Sequence, residues 1–152
     1  MSVPQSVVKF SRNGVTYTSS VDRASYTIRE LSRAALRDVG RYVARTSNSA
    51  AMKLHGLKKS KRVRGKSGAF QFWVRKVESD LRVGIKHGTW YGVNQELGSD
   101  KMPKLGILYG SVNDNIQKIV EIESQYLSAL EDEAAALALI SEEEYQGGGD
   151  DD

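Results

Sequence analysis

With 152 residues and no cysteine, the chain has the length for one core that buries roughly two-thirds of its unfolded surface, and it excludes both a disulfide framework and a thiolate metal site. No stretch approaches the ~18 consecutive apolar residues of a membrane span, and the opening MSVPQSVVKFSRNG lacks the charged-then-apolar pattern of a secretion signal, so a soluble protein of a reducing cytoplasm is expected. The net charge of +3 conceals a polarity, because residues 1–110 carry 21 Lys/Arg against 7 Asp/Glu and residues 111–152 carry 1 against 12. That suits nucleic acid, an acidic partner, or a neighbouring copy that sets one chain's basic part on another's acidic part.

In VVKFSRNGVTYTSS, Asn13-Gly14 stands between β-branched and aromatic residues. Both central positions of a two-residue hairpin turn need positive φ, which these two residue types accept, so strands are expected near 6–12 and 15–19. From Asp22 to about Thr46, Ile28, Leu31, Ala35, Val39 and Tyr42 recur every three or four positions and predict a helix with one apolar stripe. Gly40 interrupts it at about 1 kcal/mol relative to alanine and leaves room for a close neighbour. Opposite the stripe, Arg29, Arg33, Arg37, Arg41 and Arg45 fall at four-residue intervals. Neighbours in such a row repel by roughly 0.2 to 0.5 kcal/mol each, with Glu30 and Asp38 placed to offset part of it. The row reads either as a solvated face or as a contact with acidic residues of an adjacent subunit or with DNA.

Residues 47–67 lose the helical period and gather glycine and serine, with seven Lys/Arg from Lys53 to Lys66, densest at Lys58, Lys59, Lys61, Arg62 and Arg64. A long basic loop is expected. Phosphate contacts by these cations would be steeply salt-dependent, but no aromatic residue is interleaved to stack on bases. The alternatives are a plain surface or subunit-contact loop and a non-specific DNA contact. AFQFWVRKV then alternates Phe70, Phe72 and Val74, and LRVGIKH alternates Leu81, Val83 and Ile85, with Glu78-Ser79-Asp80 as the turn between two strands.

WYGVNQELG leads through SDKMPKLGILYG to Ser111, which stands three residues before Asp114 in the manner of a helix N-cap. A second long helix to about residue 140 is expected, with Val112, Ile116, Ile119, Tyr126, Leu127 and Leu130 on one face and the pattern reaching Leu137. Glu123 falls inside that stripe, at the edge of the core or paired with an arginine. SEEEYQGGGDDD has almost nothing to bury and reads as a disordered tail or one ordered by a partner. Together these elements predict one α+β domain over residues 1–140, a small antiparallel sheet covered by two long helices, followed by an acidic tail over 141–152.

Chemistry finds little to stand on. The histidines are His55, in the basic loop, and His87, at a strand end, and neither has a ligand-like or triad-like partner nearby in sequence. The segment from Gly84 to Gly92 lacks the dinucleotide fingerprint, and Gly65-Lys66-Ser67 lacks the upstream glycine of a phosphate-binding loop. No catalytic, cofactor or metal residue is assigned, and a non-enzyme is expected.

TWYGVNQELGSDKMPKLGILYGSVNDNIQKI resembles the region of tail-completion, or head-tail joining, proteins of long-tailed bacteriophages in which an aromatic-rich turn runs into a glutamate, an apolar residue, a glycine and a small hydroxyl residue. Here these are Tyr91, Val93, Glu96, Leu97, Gly98 and Ser99, and Met102-Pro103 follows as the proline-containing lead to the last helix. The resemblance covers about residues 22–130, with an amphipathic helix, a basic loop and a hairpin earlier in the same order. It departs from the family at Lys104–Tyr109, where a second proline is absent, and the N-terminal hairpin and acidic end lie outside the family's core. The resemblance implies a tail-terminator-like α+β fold and a ring, expected to be a hexamer, that joins the neck to the tail tube. Its implied partners are further copies of itself, a neck or head-completion protein on the head side, a tail terminator or tail tube on the tail side, and non-specifically the DNA in the lumen. The implied place is the virion head-tail junction, reached from the host cytoplasm, with no cofactor and no membrane. Tyr91, Glu96, Gly98 and Pro103 would then have structural roles: Glu96 accepting backbone hydrogen bonds, Gly98 taking a conformation other residues resist, and Pro103 setting an extended approach to the last helix. The alternative is a basic DNA-binding protein whose acidic tail competes with DNA, for which removing residues 141–152 should tighten binding.

Overall fold

Asn13 and Gly14 adopt φ of 52° and 76°, and around them β1 (Val7–Arg12) pairs antiparallel with β2 (Val15–Ser19) from Arg12↔Val15 to Val7↔Ser19. The register shifts between Val8 and Phe10, so Lys9 is an extra residue that bends the strand. The computed structural model describes residues 3–5, 7–54, 69–87, 90–101 and 103–147. After the first hairpin come α1 (Val21–Leu54), β3 (Phe70–Val74), β4 (Leu81–Ile85), α2 (Trp90–Leu97), α3 (Ile107–Asn113), α4 (Ile116–Ser128), a 3-10 turn (Ala129–Glu131) and α5 (Glu133–Gly147). The class is α+β, with two separate two-stranded antiparallel sheets, β1-β2 and β3-β4. No described helix is long and apolar enough to cross a membrane.

The chain divides into two compact units, residues 1–35 with 124–152 and residues 36–123. The first unit buries Leu31, Ala34, Tyr126, Ala129, Ala136 and Ile140. Thr27 is buried with them and its hydroxyl donates to the Arg23 carbonyl at 3.0 Å, returning its polar atom to the helix itself. Glu30 and Arg33 are also buried and pair with each other one turn apart, while Arg23 pairs with Glu133.

In the second unit Ala51, Phe70 and Ile107 form a buried cluster, with Ala50, Ala69, Ile85, Leu105 and Leu108 packed against it. A methyl group on Gly40 would lie 2.4 Å from Phe72 Cδ2 and 2.7 Å from Leu81 Cδ1, so the absent side chain is what lets the second hairpin lie against α1. Asn48 ties the same elements together: its Oδ1 accepts from the Ala69 and Phe70 amides at 2.8 and 3.0 Å, and its Nδ2 donates to the Phe70 carbonyl at 3.1 Å. β3 and β4 pair from Phe70↔Ile85 to Val74↔Leu81, which sets the alternating apolar residues of the two strands opposite one another.

Four helical expectations need correction. α1 runs eight residues past Thr46 to Leu54, because its buried side continues through Ser47 and Ala51, residues too small or too polar to register as an apolar period. The expected second long helix is three helices and a 3-10 turn. Ser111 is not its cap, since it lies buried inside α3, which begins at Ile107. At Asn115 the side chain donates to the Ser111 carbonyl at 2.9 Å and accepts from the Tyr42 hydroxyl at 2.8 Å, and this competition with the helix ladder interrupts it. At Asp132 the backbone is extended, φ −129° and ψ 111°, and the carboxylate accepts from the Ala134 amide at 2.9 Å, capping α5. α5 then reaches Gly147, so residues 141–147 of the expected tail are helical, as the strong helix former Glu favours. Residues 148–152 lie outside the described residues.

Candidate functional site

The motif segment is organised by Glu96. The stretch Trp90–Leu97, expected as a turn, is the two-turn helix α2, and Gly98 ends it in the left-handed region at φ 82° with its amide donating to the Asn94 carbonyl at 2.9 Å. A side chain at Gly98 would also meet the Lys104 backbone nitrogen at 3.1 Å, since the loop folds back over it. That return is hydrogen-bonded: Leu105 donates to the Gln95 carbonyl at 2.8 Å and Gly106 to the Glu96 carbonyl at 3.3 Å. Three of the carbonyls that a helix C-terminus leaves without partners are thereby satisfied.

The start of α3 has the complementary deficit of donors. Its N-cap, Gly106, sits at φ 56° and ψ 39° and has no side chain to offer. The Glu96 carboxylate takes that role from across the loop, accepting from the Leu108 amide at 3.0 Å and from the Tyr109 amide at 3.1 Å. A carboxylate at a helix N-terminus is favoured both by the free amides and by the helix dipole. Glu96 therefore locks the end of α2 to the beginning of α3, and the loop between them, with Pro103 exposed within it, is closed at both ends. Tyr91 lies in α2. The Lys104 ammonium stands 5.9 Å from the ring centre of Tyr109, within range of a cation–π attraction.

The arginine row does not form one face. A step of four residues turns 400° about a helix, so each arginine is displaced about 40° from the last and the five sweep about 160°. Arg33 is buried with Glu30, and Arg41 pairs with Asp38. Arg29 and Arg45 are exposed and Arg37 half-buried, and none of these three has a carboxylate within 4 Å among the described residues. Two members of the row are thus structural and three remain available. Lys58, Lys59, Lys61, Arg62 and Arg64 lie outside the described residues, as does His55.

Glu123 is exposed, not part of a core. Of the stripe expected to bury α4, Tyr126 is buried and Ile119 half-buried, whereas Ile116 is 51 % and Leu127 65 % exposed, with Val112 and Leu130 also exposed. Among the described residues, the apolar band on this stretch is only partly covered. His87 is exposed, and among the described residues no group of three or more His, Asp or Glu could hold a metal ion. The turn of the second hairpin carries a compact charge cluster in which Arg75 pairs with Asp80 and Glu78. The Arg75 hydrogen bond holds the Asp80 carboxyl below its ordinary value, and the same bond raises Arg75.

Asn48 and the Asp132 cap escaped the sequence reading. Asn48 carried no sequence signal, because it lies past Thr46, where the apolar period of α1 stops, and its helical setting appears only in the structure. No family model, curated protein or solved structure matches this chain.

Proposed function

We propose that this chain is a structural subunit of the head-tail connector of a long-tailed bacteriophage, a tail-completion protein that acts by assembling into a ring between neck and tail tube. The observation that supports the reading is the use made of the resemblance-bearing residues. Glu96 and Gly98 are committed to backbone positions, the one capping α3 from a distance and the other ending α2 at positive φ. Such residues serve a rigid part, and a rigid connection is what a subunit held between two larger assemblies requires. The charge polarity and the apolar band left open on α3 and α4 fit a protein whose neighbours complete its surface. Head-side and tail-side partners, and DNA in the lumen, follow from the same reading.

A premature stop in the gene, carried on the phage genome that encodes it, tests this directly. Electron microscopy of the lysate should show DNA-filled heads and separate tails, with joined particles returning when the intact chain is supplied in trans. Normal numbers of joined, infectious particles without the protein would overturn the reading.

A further inference from the structure

The hairpin of β3 and β4 has two sides, and the core uses one of them. Phe70, Phe72, Val74, Leu81, Val83 and Ile85 alternate onto the side where Phe72 and Leu81 close on Gly40 of α1. Gln71 and Trp73 on β3 take the other side, together with Arg82 and Gly84 on β4. The register sets Trp73 opposite Arg82 and Gln71 opposite Gly84. Lys86 continues the same alternation, and its amide donates to the Ala69 carbonyl at 2.8 Å.

Gly84 organises this outer side. A Cβ there would lie 3.7 Å from Trp73 Cη2 and 3.9 Å from Trp73 Cζ3, so the indole leans diagonally across the ladder and rests its six-membered ring over the bare glycine. An aromatic cover of this kind supports a strand glycine, but it occupies only part of the ring. Trp73 stays 44 % exposed, although tryptophan is highly buried on average. Arg82 and Lys86, two residues to either side of Gly84, are exposed too, and the strand rise sets each about 7 Å from that glycine. The acid beside this row is Asp80, 3.8 Å from Arg82, and both its oxygens already accept from Arg75 at the turn.

An aromatic ring thus stands between two cations on one strand face, and each part narrows the occupant. The cations call for a polyanion, and the indole calls for a second flat ring. An acidic peptide would meet the cations and leave the indole unmatched. A duplex turns its base faces inward. A single strand of nucleic acid offers both a base that can stack and a phosphate on either side of it. Residues 53–66, which precede β3 in the sequence, carry seven Lys/Arg and no Asp or Glu, but also no Phe, Trp or Tyr. The hairpin supplies the stacking surface that this basic sequence lacks.

We infer that the outer face of the β3–β4 hairpin binds single-stranded DNA, with one base stacked on Trp73 and the phosphates flanking it at Arg82 and Lys86. The polynucleotide chemistry follows from this face, whereas DNA in place of RNA rests on the connector reading, which sets DNA beside the chain. Recognition of this kind tolerates any sequence, because every base has a π face.

Fluorescence anisotropy of a labelled oligothymidylate of about 15 nucleotides, titrated with the full chain between about 50 and 200 mM salt, tests the contact. Trp73→Leu keeps an apolar cover on Gly84 but cannot stack, and it should weaken binding about tenfold at every salt concentration, while Trp73→Phe stays within about threefold of the natural chain. Arg82→Gln and Lys86→Gln should each lower the slope of log K against log salt by about 0.7, the share of one phosphate. Trp73→Leu should leave that slope unchanged. Equal binding by Trp73→Leu and Trp73→Phe would overturn the stacking, even if both melt below the natural chain, because covering Gly84 would then be all that Trp73 does. No binding at the lowest salt, tighter binding of a duplex of the same length, or preference for oligouridylate would each overturn the inference as well. Joined virions formed without the protein would remove the connector reading and leave the single-strand contact standing.

Discussion

The two hairpins of this chain are held by opposite means. β1 and β2 meet at Asn13-Gly14, whose positive φ angles suit the twist of the strands, yet the side chains from Ser11 to Thr18 are all exposed. β3 and β4 are joined by a longer turn in which Ser79, a residue with no special liking for the left-handed region, sits at φ 52°. That second hairpin buries Phe70, lies against Gly40 and is pinned by Asn48. Turn chemistry sets the register of a hairpin, whereas burial against another element decides its stability, because two strands alone are marginal in water.

The largest break in this contrast should come from Gly40→Ala. Helix propensity alone would favour alanine by about 1 kcal/mol, but a Cβ at 2.4 Å from Phe72 forces the hairpin away, and overpacking of this kind costs about 1 to 3 kcal/mol. The variant should melt several degrees lower in calorimetry, and an unchanged or raised melting temperature would refute the close approach. Asn48→Ala should follow, at about 2 kcal/mol, because the amides of Ala69 and Phe70 lose their acceptor. Hydrogen exchange should show protection falling first at those two amides.

Glu96→Ala should cost about 1 kcal/mol, the size of a lost N-terminal cap, with exchange quickening at Leu108 and Tyr109 and with little change in the first hairpin. Gly14→Ala should be a local matter. Nothing lies within 4 Å of the added methyl group, so the strain of positive φ, about 1 kcal/mol, should unpair β1 from β2 in NMR spectra while the melting of residues 36–123 is unmoved. A shift in that melting would tie the first hairpin to the rest more closely than its exposure suggests. The smallest effect belongs to Asp80. The Arg75 hydrogen bond holds its carboxyl below the ordinary carboxylate value, so the stabilisation it gives the second turn is complete above the ordinary carboxylate range and fades as pH falls through the lowered value. An NMR titration midpoint for Asp80 at or above that of an unpaired aspartate would count against the Arg75 bond.

Legibility followed the range of each interaction. The strands and the α+β class could be read because alternation and the Asn13-Gly14 pair are local. Helix α1 could be placed but not ended, since Ser47 and Ala51 are buried without being strongly apolar. The apolar period of residues 112–130 was real but misassigned. It predicted a core face, and the structure leaves Ile116, Leu127 and Leu130 in the open. The arginine spacing suggested a single face because four residues approximate one turn, but each step adds about 40°, and the one from exposed Arg29 to Arg33 already reaches a buried position.

By itself the sequence determined where the backbone turns sharply at the first hairpin and where the strands and α1 begin, because those demands on φ and ψ fall on a few adjacent residues. Asn13 and Gly14 announce theirs. Only the tertiary structure decided which polar groups would answer one another. Glu96 reaches Leu108, Asn48 holds Ala69 and Phe70, and Tyr42 donates to Asn115. Each of these bonds satisfies a backbone or side-chain group at a place that sequence spacing does not specify, because the partners are brought together by packing, and no local pattern records a partner that far along the chain.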